Sequence, residues 1–203
     1  MFWDSVAGVY DIFVNVINRK THRELKKIVA GLIGPGDRVL ECACGTGLLT
    51  GVIADKCSFL AATDFSEKML LRAKKNCSGF TNITFARADI TALDFPDGSF
   101  DKVVAGNVIH LLDDPLQAMA EMDRVCRDGG TLIIATYMNQ NRRGQTSRFA
   151  SAAGKAGADF KRQFTADTYK AFFTDAGYSD AEITVADGRI PCAVAVMRKA
   201  GKR

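Results

Sequence analysis

Six residues within seven positions hold most of the chemistry of this chain. They are Glu41, Cys42, Ala43, Cys44, Gly45 and Gly47, in the stretch VLECACGTGLLT. Two thiols one residue apart can suggest a metal site or a redox pair. Zinc needs about four ligands, and no second Cys-x-x-Cys or histidine pair supplies them, so no metal is expected. On a continuing strand, residues i and i+2 share a face about 6.5 Å apart, against the roughly 3.8 Å Cβ separation of a disulfide. The two thiols therefore read as reduced packing residues. The glycines point elsewhere: Gly45 and Gly47 let a backbone approach a ligand without Cβ obstruction.

The ligand's chemistry follows from the carboxylates. Asp64 ends the next apolar stretch, FLAATD, and can accept two ribose hydroxyls. Glu41 repels phosphate and suits an ammonium. The dinucleotide fingerprint G-x-G-x-x-G lacks its later glycine here. The turn thus fits a ligand with a ribose and an ammonium and no phosphates. That argues against a nucleotide-dependent oxidoreductase.

The elements that must carry this turn alternate. RVLECA (38–43), FLAATD (59–64), ITFARAD (83–89), FDKVVAGN (100–107) and DGGTLIIATY (128–137) read as strands. GLLTGVIADK (47–56), SEKMLLRAKKNC (66–77) and PLQAMAEMDRVC (115–126) read as helices, with serine and proline as start signals. Such alternation predicts an α/β, doubly wound, mostly parallel sheet of Rossmann-like form. After a helix over 165–178, AEITVADG and PCAVAVMRK predict a C-terminal hairpin that adds one antiparallel strand. Four parts of a single domain result: a helical cap (1–33), a core (36–137), an insertion or lid (138–164), and a helix with the hairpin (165–203).

Charge and composition narrow the partners. The net charge is +4, and hydrophobic residues make up 47% of the chain. Residues 1–137 carry 15 Lys/Arg against 17 Asp/Glu, and residues 138–203 carry 12 against 6. The excess at the end favours an acidic acceptor, with Arg148 among the candidates. No zinc-finger spacing, basic helix or aromatic–basic interleaving points to nucleic acid. The first residues, MFWDSVAGVYD, lack the basic start of a signal peptide, so a cytoplasmic location is expected.

Taken together, VLECACGTG, ATDFSEKML, ARADITALDFPDGSFDKVV, NVIHLLDDP and RVCRDGGTLIIATY resemble, in order, the class I S-adenosylmethionine-dependent methyltransferases. The likeness is to the group containing ubiquinone/menaquinone C-methyltransferases, over roughly residues 36–137. It implies roles for matching positions. Glu41 and the turn at Ala43, Gly45 and Gly47 would hold the methionine end of S-adenosylmethionine. Asp64 would bind the ribose, with Phe65 and Met69 beside the adenosine. Asp89 and the Ile90 backbone would read the adenine edge, Asn107 would offer its carbonyl to the amino group, and Tyr10 would close over the cofactor. The family turn usually begins with glycine where this chain has Ala43.

The resemblance implies methyl transfer to a small-molecule acceptor by direct in-line displacement. A quinone precursor or a phospholipid headgroup is the alternative acceptor, and a non-catalytic nucleotide-binding module is the alternative outside the class. His110 follows the fourth strand, where acceptors sit in this fold, and is the candidate base. Tyr10, His110, Arg148 and Phe164 are the candidate acceptor contacts. His22, in RKTHRELKK, reads as part of a solvated helix face. Phe2, Trp3, Val6, Val9 and Phe13 ahead of that basic run make peripheral membrane contact an alternative to packing on the cofactor site.

Overall fold

A computed structural model describes residues 18–139 and 161–201. Tyr10, Arg148 and the apolar positions of residues 2–13 lie outside the described residues. The elements run in the order α1 (Arg19–Gly31), β1 (Arg38–Cys42), α2 (Thr50–Ala54), β2 (Phe59–Asp64), α3 (Glu67–Asn76), β3 (Ile83–Arg87) and β4 (Phe100–Gly106). A 3-10 turn (Ile109–Leu111) follows, then α4 (Pro115–Val125), β5 (Cys126–Tyr137), α5 (Ala166–Asp175), β6 (Glu182–Ala186) and β7 (Cys192–Arg198).

The seven strands form one sheet in the order β3-β2-β1-β4-β5-β7-β6. All pairs from β3 to β5 are parallel; β7 runs antiparallel to both β5 and β6. The expected α/β sheet with one antiparallel strand from a C-terminal hairpin is therefore observed. The strand order reverses between β1 and β4, so a crevice opens beyond their carboxyl ends, where ligands of open α/β sheets bind.

Period-two alternation splits the core across the two faces of the sheet. Leu40, Val103, Leu132 and Ala195 point to one face, with Met119 and Met122 of α4 and Tyr169 and Phe173 of α5 packed over it. Val39, Val104, Ile133 and Val194 point to the other, covered by Leu25 and Val29 of α1, Ile53 of α2 and Leu70 of α3. No described helix is long and apolar enough to cross a membrane.

Two boundaries differ from the sequence reading, and one cause explains both. β1 stops at Cys42, and α2 begins at Thr50 instead of Gly47. Ala43 (φ 54°), Gly45 (φ 57°) and Gly47 (φ 94°) all adopt left-handed backbone, which neither a strand nor a right-handed helix can contain. The turn consumes the residues that periodicity assigns to its neighbours. The same bend corrects the cysteine geometry. Cys42 packs on the α4–α5 face and Cys44 on the α1–α3 face. They do not share a face, and all six cysteines are free and buried.

α1 is fixed at its start by a long-range clasp. The buried Asn18 side chain donates to the Ile190 carbonyl at 2.9 Å and accepts from the Ile190 amide at 3.1 Å. Thr21 donates to the same Asn18 oxygen, and Glu24 accepts from the Asp187 amide. Gly188 is obligatory in this clasp, because a Cβ there would lie 1.9 Å from Thr21 Oγ1. The hairpin loop thereby sets where the rest of α1 lies.

Candidate functional site

The turn between β1 and α2 is held by the end of β2. Asp64 Oδ2 accepts from the Gly45 amide at 2.8 Å, and Oδ1 accepts from the Ser66 amide at 2.8 Å. Ser66 itself caps α3 through the Met69 amide, so Asp64 is not spent as a helix cap. A carboxylate oxygen can accept more than one hydrogen bond, as recognition of a ribose diol requires.

Glu41 is the unusual group. It is 2% exposed, on the strand residue whose neighbours Val39 and Leu40 are core. Its Oε2 and the Oγ1 of Thr50 are both buried without a hydrogen-bond partner. Burial pushes the carboxyl up to about 8; the Asp64 charge adds to the rise and the nearby Thr50 hydroxyl opposes it. A buried carboxyl with a vacant acceptor is costly to keep, and a cation arriving at Oε2 relieves that cost. The residues present therefore fit a ligand that brings an ammonium to Glu41 and a diol to Asp64.

The cysteines beside it are poor nucleophiles. Burial, followed by the Glu41 charge, raises both the Cys42 and Cys44 thiols far above their ordinary range. Among the described residues no group of three or more His, Cys, Asp and Glu is arranged to hold a metal ion.

Other expected positions spread along the same edge. Phe65 is 45% exposed, with the Arg87 guanidinium 5.1 Å from its ring centroid. Met69 is buried on α3, and Ile90 is buried below the loop after β3. Asp89 is exposed; its Oδ1 accepts from the Thr91 amide and hydroxyl. Asn107 ends β4 with φ 57°, its amide bonded to the Ala135 carbonyl and its Oδ1 accepting from Cys192. Left-handed backbone at Asn107 turns the chain out of the sheet toward His110.

The β4–β5 end differs from expectation in two places. Phe164 is 5% exposed and packs against Tyr169 and Phe172; it is a core residue rather than an open acceptor contact. It still marks the base of the insertion, because its carbonyl accepts from the Asn139 amide. His22 is not on a solvated face. It is 3% exposed, and its Nε2 lies 2.7 Å from the Tyr137 hydroxyl. The signal was present in the sequence: His22, Leu25 and Val29 recur at i, i+3 and i+7, the buried stripe of α1.

His110 is likewise 3% exposed, and burial lowers its imidazole to about 4. It is neutral at physiological pH. Its ring meets Tyr137 edge-on at 6.0 Å, and the His22 ring also lies 6.0 Å from Tyr137. Tyr137, unassigned in the sequence reading, sits at the end of β5 in contact with both histidines.

Residues 40–134 match the family described as "Methyltransferase domain". The chain is 36% identical over 137 residues to a demethylmenaquinone methyltransferase of Renibacterium salmoninarum, covering 66% of this chain and 56% of that protein. It is 31% identical over 138 residues to a phosphatidylethanolamine N-methyltransferase of Cereibacter sphaeroides, covering 66% of each. The chain thus spans a little over half to two-thirds of the length of these relatives. Among solved structures, a SAM-dependent methyltransferase of Thermotoga maritima superposes with a TM-score of 0.77 at 19% identity, over 97% of this chain and 98% of the other.

Proposed function

Residues 40–134 belong to the class I S-adenosylmethionine-dependent methyltransferases, and from that premise we propose that the chain methylates a small-molecule acceptor by direct in-line displacement. The observation that carries the reading is the buried Glu41 carboxyl with its vacant Oε2, one turn from the Asp64-braced glycines. That pair meets an ammonium and a ribose diol, and it offers nothing to a pyrophosphate. Bound S-adenosylmethionine supplies an activated methyl on a sulfonium, which is already a good leaving group.

The protein's own task is then to position and to exclude. Asp64 fixes the turn and accepts the diol. Glu41 takes the ammonium and ionises as it does so. Asn107 turns the chain at the switch point, between the cofactor side and the acceptor side. A nucleophile held about 3–3.5 Å from the methyl carbon gains much of its rate from that placement alone. On this reading the whole chain acts as one methyltransferase domain.

Isothermal calorimetry with S-adenosylhomocysteine tests the reading. Micromolar binding that Glu41→Gln weakens is expected. No binding, or tighter binding of a dinucleotide, would overturn it. A tritium-transfer screen against small-molecule extracts then identifies the acceptor; tight cofactor binding with no labelled product would favour a non-catalytic module.

A second acceptor class has a specific observation behind it. Arg19, Lys20, Arg23 and Lys27 are exposed on α1, a cationic face that suits anionic lipid, and one relative is named for phosphatidylethanolamine. Co-sedimentation with anionic vesicles, lost at high salt, would favour a lipid headgroup over a free small molecule.

A further inference from the structure

Beyond the cofactor turn, one constellation has no role so far: Tyr137 in contact with two histidines. Its three members come from three elements, α1, the 3-10 turn after β4, and the end of β5. All stand at the carboxyl ends of β4 and β5, next to the switch point between β1 and β4. The site's acceptor must be reached from here, because Glu41, the glycine turn and Asp64 occupy the β1–β2 side.

His22 belongs to two features at once. Its Nε2 contacts the Tyr137 hydroxyl at 2.7 Å. It also lines a groove of about 440 Å³ between α1 and the start of α2, with Arg19, Arg23, Lys26, Lys27, Leu48 and Val52. Among the described residues that lining has four cations and no carboxylate. Leu48 follows the cofactor turn directly, so the groove abuts it. The nearest acid on α1, Glu24, is directed to the hairpin loop through the Asp187 amide. His110 meets the Tyr137 ring edge-on, and the buried Cys192 of β7 is the register partner of Tyr137.

That balance of charge favours an anionic acceptor over an ammonium in the groove. We propose that Tyr137 is the hydroxyl that touches the acceptor, that His22 is its positioning residue and proton sink, and that the acceptor presents an acidic hydroxyl of phenolic or enolic type. The inference rests on the methyltransferase reading above. The acceptor O–H proton passes to Tyr137 Oη while the tyrosine proton passes to His22 Nε2, leaving an imidazolium whose charge is offset by the acceptor oxyanion formed beside it. In the transfer itself, the electron pair of the ionised acceptor forms the new bond to the methyl carbon. The carbon–sulfur bond breaks with its pair remaining on sulfur. The balance needs no further reactant.

The test uses 4-nitrophenol, whose ionised and neutral forms differ in visible absorbance, added to the full chain saturated with S-adenosylhomocysteine. Wild type is expected to bind it and to enrich the phenolate band above that of free probe at the same pH. Tyr137→Phe keeps the ring and loses the hydroxyl; binding is expected to fall about tenfold. His22→Gln retains a hydrogen-bonding partner for Tyr137 without a basic nitrogen. It should bind the probe within about threefold of wild type and lose the phenolate enrichment. A purely structural role for His22 would not separate those two readouts. Calorimetry of S-adenosylhomocysteine on the same variants should be unchanged. If the wild-type complex does not bind the probe, or if neither substitution alters affinity or spectrum, the proposal is wrong. If S-adenosylhomocysteine itself does not bind wild type, the methyltransferase reading fails first.

Discussion

The carboxyl ends of β1 and β2 and the carboxyl ends of β4 and β5 solve different problems. The first is charged and compact in sequence: Glu41, the left-handed turn and Asp64 lie within one strand–helix–strand unit. The second is assembled from distant segments, gathering His22, Asn107, His110 and Tyr137 from across the chain. At the first end a strained backbone and a carboxyl with an unpaired Oε2 wait for a ligand that satisfies them. At the second, side chains are held by one another, with α1 clasped in place by Asn18. A binding end can store its cost in the free state, whereas an acceptor end must be assembled by the fold. Stability and cofactor affinity should therefore respond oppositely to changes at the two ends.

The largest expected effect is at the clasp. Asn18→Ala removes both bonds to Ile190 and leaves two buried backbone groups unpaired, which costs about 3 kcal/mol. Urea unfolding should register that loss, while S-adenosylhomocysteine affinity stays within about threefold because the β1–β2 end is untouched. A loss of affinity as large as the loss of stability would dissolve the distinction between the ends.

Glu41→Gln should do the reverse. Losing a charge-assisted contact to the ammonium weakens cofactor binding by about 30-fold. The free protein gains stability. Its folded carboxyl titrates near 8, above the ordinary 4.5, so the folded state holds a proton that the unfolded chain releases. Stability from that group is complete below about pH 4.5 and is lost as pH rises through 8. Thermal melts of the free protein from pH 5 to 9 should show the decline, and Glu41→Gln should flatten it. Wild-type affinity should also fall as pH drops below 8, by about tenfold per unit at most, because binding then requires a proton to leave.

A smaller effect is expected at Asp64. Asp64→Asn leaves one oxygen for two backbone amides, so the turn loses about 1–2 kcal/mol. The diol loses an acceptor, and calorimetry should show about a tenfold fall in affinity. The smallest concerns Ala43, whose φ of 54° costs about 1 kcal/mol relative to glycine. Ala43→Gly should raise the urea midpoint and leave the unfolding slope unchanged. A lower midpoint would mean that the Ala43 methyl, which packs against the core, contributes more than its backbone strain costs.

The fold was legible to the extent that burial is periodic. Strands such as RVLEC and FLAATD are apolar runs closed by turn residues, and each was placed within two residues. The hairpin strand β7 fell where PCAVAVMRK predicted it. The boundaries around residues 43–49 were not legible, because Ala43 carries no mark of left-handed backbone. Only its departure from the family's glycine drew attention to it. His22 was misread because a run of Arg and Lys around it masked the stripe shared with Leu25 and Val29. Tyr137 looked like one more residue of an apolar strand.

The sequence by itself determined the sheet, the glycine turn and the two carboxylates, since those depend on local pattern and on residues close along the chain. Only the tertiary structure decided that Glu41 is buried with its Oε2 unpaired, that Cys42 and Cys44 part to opposite faces, and that His22 meets Tyr137. Each of those depends on which distant element packs over a residue. Local propensity does not encode that; it is settled when α1 is clasped to the β6–β7 loop and the helices close over both faces of the sheet.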